Sequence, residues 1–121
     1  MASAEDEVAA IRTTVVNSIE GWHTADARRM ASSLNKDLRK VKPLGSQGRG
    51  LRQLDKTALV NSTRSGYGKT AVDKRRAEIS QIDVYGNIAS AKLVSLVYVD
   101  YFHLMKVKVE WQIMSAIWTR H

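Results

Sequence analysis

The sequence predicts one α+β domain over residues 1–121, with N-terminal helices packed in a strongly curved antiparallel sheet around an internal pocket. Three observations lead there. Glu5–Trp22 carries one apolar stripe, Val8, Ile11, Val15, Ile19 and Trp22, at helical spacings of three and four. The C-terminal third alternates apolar and polar residues on either side of a Gly86-Asn87 turn. Between these signals lies Asn87–Val107, which has no Gly or Pro and is rich in Val, Leu and Tyr. It is several times longer than the ~5–6 residues of an ordinary strand. A strand of that length must bend, so it reads as the spine of a curved sheet.

The elements follow in order. Ser3, with Asp6 three residues on, suits a capping box for the first helix, and its acidic first turn complements the helix dipole. Gly21 marks the end of that helix. Thr24 or Asp26 starts a second, short helix through about Leu34, burying Ala27, Met30, Ala31 and Leu34. Leu38–Leu44 is a short strand, and Pro43 places it at a sheet edge. Gly45–Gly50 is a turn. Leu54–Ser65 is a third helix capped by Asp55 and ended by Gly66-Tyr67-Gly68, with a loop over 67–74. Arg76–Tyr85 is a strand that sets Ala77, Ile79, Gln81 and Asp83 against Glu78, Ser80, Ile82 and Val84. After the spine, Lys108-Val109 is a weak turn. Glu110–Arg120 then returns with Trp111, Ile113, Ser115 and Ile117 on one face and Gln112, Met114, Ala116 and Trp118 on the other.

Composition narrows the class. Hydrophobic residues make up 44% and charged residues 26% of 121, as in an ordinary globular chain. Lys92, Asp100 and Lys106 interrupt the longest apolar run, so no stretch reaches the ~20 residues of a membrane span. The acidic N-terminus lacks the order of a signal peptide, and the expected compartment is the cytoplasm. With no cysteine, disulfides, thiolate metal sites and cysteine nucleophiles are excluded. The net charge of +7 raises nucleic acid or an anionic partner. The excess sits in connecting segments, however, with no base-stacking platform and no helix-turn-helix. A solvated basic rim is the preferred reading, and nucleic acid is not the expected partner.

Several stretches together resemble a known family. They are Ile19-Glu20-Gly21-Trp22 followed by Asp26-Ala27-Arg28-Arg29-Met30, then Val84 through Lys92, then Tyr98 through Val107, and Trp111-Gln112-Ile113 closing on Trp118. In this order, over nearly the whole chain, they are similar to the putative lumazine-binding family of the nuclear transport factor 2-like (SnoaL-like) superfamily. The resemblance implies a cone-like α+β fold with a pocket inside a curved sheet, and a homodimer through the outer sheet face. Two positions depart from the family pattern. Asn35-Lys36 stands where His-Pro is usual, which removes a potential pocket histidine. Lys108-Val109-Glu110 replaces an Asp-Gly turn.

Candidate site residues concentrate on the spine. Asp100 and His103 are the candidate catalytic pair, a carboxylate that would orient an imidazole base. They are three apart, so on a regular strand they point to opposite faces, and only a bulge would bring them into one cavity. Trp22, His23, Tyr98, Tyr101, Phe102 and Trp118 are the candidate ligand-binding residues, suited to a small apolar or heteroaromatic ligand, with Arg39 or Lys40 to neutralise an anionic group at the rim. No paired ligands stand at metal-site spacing, and neither metal nor cofactor is expected. Serines lack an elbow context, and Gly45-x-x-Gly48-x-Gly50 is no phosphate loop. The leading function is a dimeric small-molecule-binding domain with an aromatic-lined hydrophobic pocket. The alternatives are an acid–base enzyme of the isomerase, dehydratase or polyketide cyclase kind using Asp100 or His103, and a basic protein- or nucleic-acid-interaction module.

Overall fold

Ser3 opens the first helix as its sequence requires: its hydroxyl accepts from the Asp6 N–H and the Asp6 carboxylate accepts from the Ser3 N–H. The computed structural model describes residues 2–45 and 50–121. Its elements are α1 (Ala4–Thr24), α2 (Ala27–Ser33), β1 (Leu34–Pro43), β2 (Leu51–Leu54), α3 (Lys56–Arg64), β3 (Ala77–Tyr85), β4 (Ile88–Ser95), β5 (Tyr98–Val107) and β6 (Glu110–Arg120), with a short 3-10 turn at Val72–Lys74. This is the expected α+β class, with three helices against a curled, open six-stranded sheet.

The sheet order is β2-β1-β6-β5-β4-β3. It is mixed rather than purely antiparallel, because β1 pairs with β6 in parallel while every other pair is antiparallel. Such a pairing joins distant parts of the chain and leaves no local sequence signal. It also makes β1 an interior strand of ten residues. The edge belongs to β2, which is not among the expected strands and takes Leu54 from the expected third helix, and Pro43 merely ends β1 opposite Leu51. The turn expected at Gly45–Gly50 lies largely outside the described residues.

The long spine is two strands. Leu96 and Val97 form a two-residue turn between β4 and β5, so Leu93 pairs with Asp100. The Ser95 hydroxyl holds this turn, donating to the Tyr98 carbonyl (3.2 Å) and accepting from the Tyr98 N–H (3.3 Å). Neither Leu96 nor Val97 has positive φ, so the turn needs no glycine and shows none in the sequence.

The register of β1 on β6 shifts between Leu34 and Arg39, and bulges in β3 and β6 decide which of their side chains face inward. In β3, Gln81 takes φ 54 and the register slips between Ser80 and Asp83. Ile79, Ile82 and Val84 therefore turn toward the helices, whereas simple alternation separated Ile79 from the other two. In β6 the slip lies opposite His103 and Leu104, with Met114 as the extra residue. It puts Trp111, Ile113 and Ala116 on the buried side together.

Gly21 does not stop α1. The helix continues to Thr24 and ends at Ala25, which takes the left-handed conformation. Gly21 permits close helix contact instead: a Cβ there would lie 2.8 Å from the Met30 nitrogen. Asp26 then caps α2 by accepting from the Arg29 N–H at 3.0 Å. Ile11, Val15 and Ile19 of α1 join Met30, Leu38, Leu93, Phe102 and Ile113 in one core between helices and sheet.

Candidate functional site

Where the core thins, a cavity of about 440 Å³ remains between the helices and the concave side of the sheet. Ser18, Ile19 and Trp22 of α1, Met30 of α2, and Leu59 and Ser62 of α3 form its helical wall. The sheet wall carries Leu38 and Lys40 of β1, Arg52 and Leu54 of β2, Leu93 and Ser95 of β4, Tyr98, Asp100 and Phe102 of β5, and Ile113, Trp118 and Arg120 of β6. Local structure explains their orientation. Alternation along β5 turns Asp100, Phe102 and Leu104 inward and Tyr101 and His103 outward. Trp118 reaches the same wall because the Met114 bulge has shifted the parity of β6.

The aromatic residues are held in place. Tyr98 meets Trp118 edge to face, with ring centroids 5.2 Å apart and an interplanar angle of 88°. Trp22 lies against Gly68, where a Cβ would come within 2.2 Å of the indole. Only glycine leaves room for that ring.

Asp100 is 4% exposed, and Lys40 Nζ stands 3.1 Å from its Oδ1. The two form an ion pair by distance, but their angles are not those of a hydrogen bond, and Oδ1 has no other partner. The Trp118 indole N–H likewise has no acceptor. Lys40 Nζ also lies 5.4 Å from the Trp118 ring centroid. Among the described residues, Lys40 is therefore the one charged partner of a buried carboxylate beside the cavity.

The remaining candidates lie elsewhere. His103 faces the opposite side of the sheet, its Nδ1 3.1 Å from the Ser115 hydroxyl. The bulge that could have joined it to Asp100 sits in the partner strand and leaves the β5 alternation intact, so the two do not share a cavity. Tyr101 is on the outer face, 52% exposed, with Lys92 Nζ 5.4 Å from its ring centroid. His23 is buried at the end of α1, outside the cavity lining, and its carbonyl accepts from the Thr70 N–H. Burial holds its imidazole below the ordinary histidine value. Arg75 adds to this and Glu20 opposes it. Arg39 is exposed and turned away from the cavity. Sequence reasoning passed over Arg52, Arg120 and the ion pair of Lys40 with Asp100. The alternation of Arg39 and Val41 with Leu38 and Lys40 carried part of that signal. Among the described residues, no three His, Asp or Glu side chains converge as metal ligands.

A family profile described as putative lumazine-binding matches residues 6–119. No curated protein matches the chain in sequence. Solved structures share its fold at low identity. A nuclear transport factor 2-like protein of unknown function from Shewanella baltica superimposes with a TM-score of 0.84 at 22% identity, covering 100% of this chain and 98% of that one. One from Silicibacter pomeroyi gives 0.84 at 15%, covering 99% and 100%. A ketosteroid isomerase-like protein from Erwinia carotovora atroseptica gives 0.70 at 16%, covering 95% and 96%.

Proposed function

The chain belongs to the putative lumazine-binding family, and on that premise we propose that it binds a small heteroaromatic molecule in the cavity between helices and sheet. The observation that carries this reading is the aromatic lining of the cavity, Trp22, Tyr98, Phe102 and Trp118, around one buried ion pair, Lys40 with Asp100. A flat ring suits such a site. The aromatic walls match its faces.

A thermal-shift series with pterin-like and flavin-like rings tests the reading, with tryptophan fluorescence as a second signal. Stabilisation that is lost in Trp118→Leu supports it. No response to any ring compound in either signal would reject it. A proton-transfer enzyme is the second reading, favoured by one buried carboxylate on the cavity wall. It would rest on Asp100 alone, since His103 faces away.

The proposed assembly is a homodimer through the outer sheet face, in the cytoplasm. Tyr101 and Ile117 are paired across β5 and β6 and are 52% and 61% exposed, and Ile88 on β4 is 61% exposed beside Met105. Apolar side chains in the middle of a sheet face suit a subunit contact, which ordinarily buries roughly 800 Å² per partner. Light scattering of the wild type and of Tyr101→Glu checks it: a dimer should become a monomer.

A further inference from the structure

We propose that the ligand of this cavity carries an anionic group, held at the cavity's outer end by Arg52 and Arg120 together with Lys42. The proposal rests on the small-molecule reading above and narrows its ligand class.

Three cations line the cavity, Lys40, Arg52 and Arg120, against one carboxylate, Asp100. Lys40 is committed to Asp100 at 3.1 Å. Arg52 and Arg120 have no ion-pair partner among the described residues. The topology gathers them. Lys42 and Arg52 are directly opposed across the antiparallel pair of β1 and β2. Arg120 is opposed to Tyr98, with its guanidinium 5.7 Å from that ring centroid. Lys42 Nζ lies 5.8 Å from the Trp118 ring centroid, so Lys42 and Arg120 adjoin the Tyr98 and Trp118 pair and Arg52 stands opposite Lys42.

Like charges directly opposed in an antiparallel ladder are destabilising. Arginine forks are matched to carboxylate and phosphate oxygens. A solvated basic edge would explain cations scattered on both faces. It does not explain why Lys42 and Arg120 lie beside the Trp118 and Tyr98 rings, next to a cavity that both arginines line and whose one carboxylate is already paired with Lys40. The arrangement sorts a ligand along its length: ring faces against the aromatic walls, and a carboxylate or phosphate toward Arg52 and Arg120.

The test uses matched acids and amides: benzoate, 2-naphthoate and pterin-6-carboxylate against their carboxamides, titrated by tryptophan fluorescence at low and high salt. The expected result is that at least one acid binds roughly tenfold more tightly than its amide. Arg52→Gln or Arg120→Gln should erase that preference while amide binding is retained. Both side chains are exposed, and an unchanged thermal midpoint without ligand confirms an intact fold. If acid and amide bind equally, the anion site is wrong and the ring-binding reading stands. If neither class binds, both are wrong. A short single-stranded oligonucleotide that displaces the acids would overturn the assignment in favour of a nucleic-acid surface.

Discussion

Asp100 and Trp118 are register partners across β5 and β6, and both line the same cavity. Lys40 lies against both, its Nζ 3.1 Å from Asp100 Oδ1 and 5.4 Å from the Trp118 ring centroid. Partly buried charges make a fold locally expensive, and that expense is measurable.

Lys40→Met alone should destabilise the protein by about 3 kcal/mol, because Asp100 is left as a buried charge without its counter-ion. The double variant Lys40→Met with Asp100→Leu should return to within about 1 kcal/mol of wild type, since an apolar pair of similar volume removes both desolvation costs. Urea unfolding of the three proteins checks this. If the losses simply add, the ion pair is not what couples the two sites.

Gly68→Ala should cost about 2–3 kcal/mol, because its Cβ would sit 2.2 Å from the Trp22 indole. The indole must swing, so the variant should also shift tryptophan emission and blunt any ligand response. An unchanged spectrum and midpoint would show that the ring has room to move.

Stability should fall on acidification in two stages, each from a depressed pKa. The buried His23 is held below the ordinary 6.5 first by desolvation and then by Arg75. Above 6.5 its contribution is complete. It declines as pH drops through that value toward the folded pKa, because the unfolded chain takes up the proton first. Glu7 is lowered from 4.5 by hydrogen bonds from Lys106 Nζ and Trp111 Nε1, each at 2.5 Å. It gives stability above 4.5 that is lost as pH falls through the folded pKa. Thermal midpoints from pH 7.5 to 3 check both stages. His23→Gln should flatten the upper stage and Glu7→Gln the lower.

Lys108→Gly should stabilise the protein by up to about 1 kcal/mol. Lys108 holds φ 60 in the two-residue turn between β5 and β6, a conformation glycine adopts without a Cβ clash. A lower midpoint would mean that the Lys108 side chain makes a contact worth more than its strain.

Much of the scaffold was legible locally. The Ser3 and Asp6 capping box, the Asp26 and Asp55 caps and the Gly86-Asn87 turn all act within a few residues, and each stands where its chemistry puts it. The break at Leu96-Val97 was not legible, because a serine hydroxyl rather than a glycine makes that turn. Face assignments held in β5, where alternation is unbroken. They failed in β3 and β6, where one added residue reverses every side chain beyond it.

By itself the sequence determined the α+β class, the helix boundaries set by caps, and the aromatic and charged residues available to a site, because these depend on interactions between near neighbours. Only the tertiary structure decided that β1 runs parallel to β6, that His103 and Tyr101 face away from Asp100, and that Lys40, Arg52 and Arg120 meet at one cavity. Strand order and bulge position are settled by the packing of remote segments against one core. A single-residue slip there costs the local chain little, yet it chooses which side chains face the cavity.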